Sequence, residues 1–151
     1  MKKINLIVAA SLMLASNISF GQELPKSKVP SAVVNSFQKS FPKTHDVEWE
    51  LNGDQYKVEF ETGLSDDHNA WFDNAGKLVK HEQEISESKL PTEVLATIKS
   101  DFKGYKIDDV KKITVDNKVI YAVELDSLMA KNHDVKVTFD AAGKILAQTA
   151  D

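Results

Sequence analysis

Cysteine does not occur in this chain of 151 residues. That absence excludes a disulfide framework, a thiolate zinc site and a lipid-modified cysteine behind a secretion signal. Arginine is missing as well, since all 19 basic residues are lysine. Arginine is the usual side chain for bidentate phosphate and base-edge recognition. Its absence from a chain of formal charge −4 points away from nucleic acid as a partner. No apolar run reaches the roughly 20 residues that a membrane-spanning helix needs.

The apolar run that does exist sits at the N-terminus. Lys2 and Lys3 precede an apolar stretch from Ile4 to Ala15, and Ser19 and Gly21 stand three and one residues before Gln22. This is the layout of a secretory signal over residues 1–21, cleaved to leave Gln22 first, and it predicts a periplasmic or secreted protein. Loss of Lys2 and Lys3 takes the net charge to −6. What remains is one domain's worth of chain, and 42% hydrophobic residues are enough for a packed core.

Behind the signal the chain repeats itself. Val29-Pro30-Ser31-Ala32-Val33-Val34 lines up with Leu90-Pro91-Thr92-Glu93-Val94-Leu95. Apolar residues then recur at helical spacing, at Val33, Val34, Phe37 and Phe41 and again at Val94, Leu95, Ile98 and Phe102. A proline opens each helix, where its fixed φ suits and no donor is lost. Pro42 is expected to end the first helix and Gly104 the second.

After each helix the period changes to two. Val47, Trp49 and Leu51 form one alternating stripe and Tyr56, Val58 and Phe60 another, around a turn at Asn52-Gly53-Asp54. The second copy offers Ile113 and Val115, a turn at Asp116-Asn117-Lys118, then Tyr121, Val123 and Leu125. Phe72-Asp73-Asn74-Ala75-Gly76-Lys77-Leu78-Val79 returns as Phe139-Asp140-Ala141-Ala142-Gly143-Lys144-Ile145-Leu146. Each copy, 22–85 and 86–151, reads as a helix followed by four antiparallel strands, with Ser86-Glu87-Ser88-Lys89 linking them. One copy alone buries little surface. The expectation is therefore an α+β fold: a tandem duplication in one structural domain, one continuous antiparallel sheet with both helices on one face.

These motifs, in this order and duplicated, resemble the PepSY-like proteins of Bacteroidetes-type bacteria, which are related in fold to the β-lactamase-inhibitor protein. The resemblance covers the chain from about Leu24 to the C-terminus. It implies a secreted, non-enzymatic domain with a concave eight-stranded sheet backed by helices. Inhibition of an enzyme is implied only by analogy of fold, and no functional residues carry over.

The residues themselves supply few sites. Gly76-Lys77 and Gly143-Lys144 hint at a phosphate loop, but no second glycine precedes either pair, and Leu78 and Ile145 replace the Ser/Thr that would hold magnesium. A turn needs only what is present: Asp73 to bond its own backbone and Gly76 for positive φ. No Gly-x-Ser-x-Gly elbow occurs, and nothing marks a catalytic triad or calls for a cofactor. His45, His68, His81 and His133 lack metal-ligand spacing and read as loop and strand-end residues at the surface. Asp66, Asp67 and His68 are the least implausible ligand cluster, without the spaced oxygens of a calcium loop.

Alternation leaves one surface of interest. If Phe72 points into the core, Trp71 points out, accompanied by Glu48, Glu50, Lys57, Glu59 and Glu61. The second half adds Ile120, Ala122, Glu124, Lys136 and Thr138. An aromatic residue within a charged sheet is the anchor that binding surfaces use. The leading expectation is a binding module for a protein or peptide, with Trp71, Lys57, Glu59, Ile120, Glu124, Lys136 and Thr138 as contacts. The alternative is a sensor or carrier of a small ligand or metal ion, using the Asp66-Asp67-His68 loop or a pocket between the halves. Exposed edge strands leave the oligomeric state open.

Overall fold

The computed structural model describes residues 21–64, 66–129 and 133–150. The signal segment, apart from Gly21, and Ser65 lie outside the described residues.

Helix α1 (Ser31–Ser40) starts directly after Pro30 and α2 (Thr92–Asp101) directly after Pro91. Each follows a 3-10 turn, Lys26–Lys28 and Glu87–Lys89. Phe41 and Phe102 close them, donating backbone N–H to Phe37 and Ile98 carbonyls. Pro42 stands immediately beyond α1, while Gly104, at φ 91°, turns the chain after α2 into the next strand.

The strands are β1 (Gln22–Glu23), β2 (Thr44–Asn52), β3 (Gln55–Thr62), β4 (Asp66–Phe72), β5 (Leu78–Glu84), β6 (Tyr105–Val115), β7 (Lys118–Ser127), β8 (Val135–Asp140) and β9 (Ile145–Ala150). They form one sheet in sequential order, and every neighbouring pair is antiparallel. The fold is therefore an α+β meander with two helices. The family resemblance implied eight strands. The ninth, β1, is a two-residue strand pairing with Glu50 and Leu51 that is too short to leave a periodic signal.

Two apolar clusters lie between helices and sheet. Val33 and Phe37 of α1 pack on Trp49, Val58, Phe60, Ala70 and Phe72. Val94 and Ile98 of α2 pack on Val110, Val123, Leu125, Val137 and Phe139. Each fully buried Phe, Leu or Val stabilises by about 1.5–3 kcal/mol relative to exposure. Phe37 is the hub of the first cluster, meeting Trp49 at 5.3 Å and Phe60 at 5.0 Å edge to face.

Three expectations need correction. Val47 does not share the Trp49 stripe; it is 38% exposed, because the β2–β3 register shifts between His45 and Glu48. Ile113 and Val115 do not face the helices: they oppose Glu82 and Lys80, on the other side of the sheet. On β6 it is Val110 that faces the helices, with Tyr105 and Ile107, because a register shift between Ile107 and Asp109 puts residues three apart on one side. Bulges add a residue and so break the period-two reading locally.

The repeated Phe-Asp-x-x-Gly-Lys segments form the same turn twice. Asp73 Oδ1 accepts from the backbone N–H of Ala75 and Lys77, each at 2.9 Å. Asp140 Oδ1 accepts identically from Ala142 and Lys144. Gly76 N–H closes the turn on Asp73 O at 3.0 Å, and Gly143 on Asp140 O at 3.1 Å. The donors that a phosphate would require are already used. Asp140→Ala removes two hydrogen bonds at an exposed turn and should lower unfolding free energy by about 1 kcal/mol in urea titration, with Asp140→Asn retaining most of it.

Candidate binding face

Residues directly opposite one another in a ladder project from the same side of the sheet. Trp71 opposes Lys57 on β3 and Lys80 on β5, and Lys80 opposes Val115. A second row runs Glu48, Glu59, Asn69, Glu82, Ile113, Ile120, Asp140. Further along, Glu61 opposes Asp67, and Lys111, Ala122, Thr138 and Ala147 follow one another on β6 to β9. Glu124 opposes Lys136. The seven residues chosen from sequence thus lie on one face, away from both helices.

They are not equally available on it. Trp71 is half-buried, with Lys80 Nζ 3.9 Å and Lys57 Nζ 5.8 Å from its ring centroid. The two ammonium groups hold the indole by cation–π attraction and by their stems. Thr138 is only 4% exposed, between Ala122 and Ala147, so it cannot act as a contact. Asn69, Lys80, Glu82, Glu84 and Lys111 complete the face and were missed. Alternation back from Trp71 reaches Asn69, but the β5 and β6 members depend on register.

Charge is unevenly distributed over this face. In the second half three carboxylates have a lysine: Glu124 with Lys136 at 2.5 Å, Asp126 with Lys106 at 2.7 Å, Asp109 with Lys111 at 3.6 Å. In the first half Lys57 serves Glu50 and Glu59, and Lys80 serves Glu82. Among the described residues no lysine pairs with Glu48, Asp67 or Glu84. Glu48 stands directly opposite Glu59 and Glu61 directly opposite Asp67, arrangements that cost stability. A cleft of about 400 Å³ opens there, with Glu48, Glu59, Glu61, Asp67 and Glu82 in its lining and Lys111 its one lysine. Asn69, in the same cleft, has a buried Oδ1 without a donor among the described residues. Burial alone would lower the Lys57 pKa, but the hydrogen bonds and charges of Glu59 and Glu50 outweigh it and raise the value.

The histidines are a second correction. His68 is 7% exposed and His81 half-buried, both on the helix side, because His68 alternates in step with Ala70 and Phe72. His68 shares a hydrogen bond with Thr62 Oγ1 at 2.8 Å and another with His81 Nε2 at 3.0 Å. The two rings stack in line with Phe60, and Phe41 meets His81 at 4.8 Å. Both ring nitrogens of His68 are therefore engaged, and Asp66, Asp67 and His68 do not form a ligand set. Among the described residues one grouping has ligand spacing, His45, Asp46 and Glu61 within 4.8 Å. There too both imidazole nitrogens are occupied, by Asp46 Oδ2 at 3.0 Å and the Gly63 carbonyl at 3.1 Å. Hydrogen bonds to Asp46 and Gly63 raise the His45 pKa.

Comparison with known proteins agrees with this architecture. The family model for beta-lactamase-inhibitor-like, PepSY-like proteins matches residues 19–67 and 54–147. The chain belongs to the PepSY-like family. This PepSY-like chain is similar to a solved DUF2874 family protein from Bacteroides uniformis ATCC 8492 (20% identity, TM-score 0.71, 80% of this chain and 88% of that one). It is also similar to a BLIP-like protein from Bacteroides fragilis NCTC 9343 (23% identity, TM-score 0.68, 83% and 86% covered). At these identities the shared property is the fold. No curated protein matches the PepSY-like chain by sequence. No helix among its described residues is long and apolar enough to cross a membrane.

Proposed function

We propose that this PepSY-like chain is a secreted, non-catalytic binding module, built from two copies of one helix-plus-strands unit, that engages a protein or peptide of the cell envelope through the sheet face opposite its helices. The observation that carries the reading is the uncompensated acidity of the first half of that face. Glu48 against Glu59 and Glu61 against Asp67 are pairings that the fold does not need. In the second half the corresponding carboxylates are matched by Lys106, Lys111 and Lys136. A positively charged surface of a partner would remove the repulsion, steer encounter and fix register. Trp71, held by Lys57 and Lys80 at the border of the acidic region, supplies the aromatic contact. The duplication is supported by the two identical Asp-Gly turns and the two proline-opened helices.

Affinity capture from envelope extract tests this. The wild type should retain a basic protein that is released as salt rises, because exposed charges are screened within about 10 Å at 0.1 M. Trp71→Ala should reduce its recovery severalfold. Equal recovery by both forms, or capture indifferent to salt, would remove the assignment of this face.

A further inference from the structure

A second cleft, on the helix side, lies between α1 and the outer edge of the sheet. Its volume is about 450 Å³, and its walls include Leu24, Val34, Phe37, Val47 and Trp49. Trp49 is 3% exposed, yet its indole Nε1–H is buried without an acceptor among the described residues. Buried polar groups in folded proteins are almost always satisfied, so an orphan donor at a cleft wall calls for an acceptor from outside the chain.

The other half of the sheet provides an internal reference. Leu24 N–H donates to Trp49 O at 2.8 Å, and Ile85 N–H donates to Val110 O at 2.9 Å, so Trp49 and Val110 hold the same place. Counting back from them, Val47 corresponds to Asp108. The equivalent cleft there, about 370 Å³, is lined by Ser86, Glu87, Asp108, Asp109 and Val110 among others and includes no α2 residue. The architecture is therefore stable with a valine and an aspartate at these positions. The first half instead places an indole donor and a 38% exposed valine around a cleft that reaches the helix, with apolar walls and a polar rim. These differences are not required by packing.

We propose that the α1–β2 cleft is a binding site for a neutral, compact apolar molecule that presents a carbonyl oxygen to the Trp49 indole. The rim excludes charged occupants. Glu23 and Glu48 outnumber Lys26 there and repel an anion, and an ammonium group, although Gln38 and Thr44 could accept from it, has no lone pair to take the orphan Trp49 N–H. The volume lies within the range of small-molecule pockets, about 300–1,000 Å³. β1 ties this edge down through only two residue pairs, so its side chains can shift to admit a guest.

Titration of ¹⁵N-labelled protein with cyclohexanone tests the site, because the chain has 2 tryptophans and hence two indole N–H signals. Trp71→Phe assigns them. The Trp49 signal should move saturably while the Trp71 signal stays, and cyclohexylammonium should leave both in place. Trp49→Phe keeps an aromatic wall without the donor and should weaken binding roughly tenfold, read from the remaining backbone amide shifts of Val34 and Val47. Val47→Asp, a substitution on the exposed side that cannot disturb the core, should abolish saturation by importing the residue found at 108. A stationary Trp49 signal, an equal response to cyclohexylammonium, or undiminished binding by Val47→Asp would each overturn the proposal.

Discussion

Replacing Gly143 by alanine should lower the unfolding free energy by about 3 kcal/mol, far more than an ordinary turn substitution. Gly143 has φ 80°, in the left-handed region where a Cβ costs roughly 1–2 kcal/mol. The larger share comes from what the Cβ would meet. It would stand 2.5 Å from the Glu93 carbonyl oxygen, 2.7 Å from its carbon and 3.0 Å from Thr97 Oγ1. Two of these atoms are helix backbone and cannot turn aside, so α2 would have to lift from the sheet. Thr97 Oγ1 also donates to Gly143 O at 2.8 Å, a bond that this shift would break. Gly53 is the control: its φ is 63°, but nothing lies within 4 Å of its added Cβ. Gly53→Ala should cost only the conformational part, about 1–2 kcal/mol. Urea denaturation of both variants separates the terms, and equal losses would show that the helix contact carries no weight. Gly76, whose Cβ would meet the Ala32 carbonyl at 2.6 Å, should behave as Gly143 does.

The close approach explains why the Gly-Lys pair looked like a phosphate loop. Glycine is needed there for nearness to backbone, as in such loops, but the backbone belongs to the chain's own helix. From the sequence alone the turn chemistry was legible, because Asp, Gly and their spacing determine it locally. The helix above it was not, since that contact spans 46 residues. The same division holds elsewhere. Pro30, Pro91 and the stripes of Phe37 and Ile98 announce both helices, whose signals lie within ten residues each. Val47 and Ile113 were misplaced because bulges in β2 and β6 shift the alternation without any glycine to mark them. Lys80 and Glu82 belong to the binding face only through the pairing of β5 with β4 and β6, which local pattern cannot supply. His68 could have been found, being two and four residues from Ala70 and Phe72 on one strand face. Its charged neighbours Asp66 and Asp67 concealed it.

The buried histidines lead to the second large effect, a loss of stability in mild acid. Burial is the main cause that pushes His81 down from 6.5 to about 4, followed by His68 and Lys112, with Glu82 opposing. Burial also lowers His68, against the charges of Asp66 and Asp67. Phe41, which closes α1, and Phe60 from β3 meet the pair but offer no charge. Between 6.5 and about 4 the unfolded chain binds a proton that the native state refuses, so stability falls as pH falls through that window. It is fully present above 6.5. A shift of this size corresponds to about 3 kcal/mol in full. The partly open His81 ring is screened by solvent, and a loss of about 1.5 kcal/mol by pH 5 is the discounted expectation. The hydrogen bond at 3.0 Å makes the two rings one unit, since one of the facing nitrogens must stay unprotonated to accept from the other. His81→Gln, neutral throughout and able to bond His68, should flatten the dependence between pH 7.5 and 5 in urea titrations. His45→Gln removes an exposed imidazole whose pKa is raised, so it should steepen the acid loss slightly and not flatten it. If the His81 variant retains the wild-type slope, the acid sensitivity arises from groups other than the stacked pair.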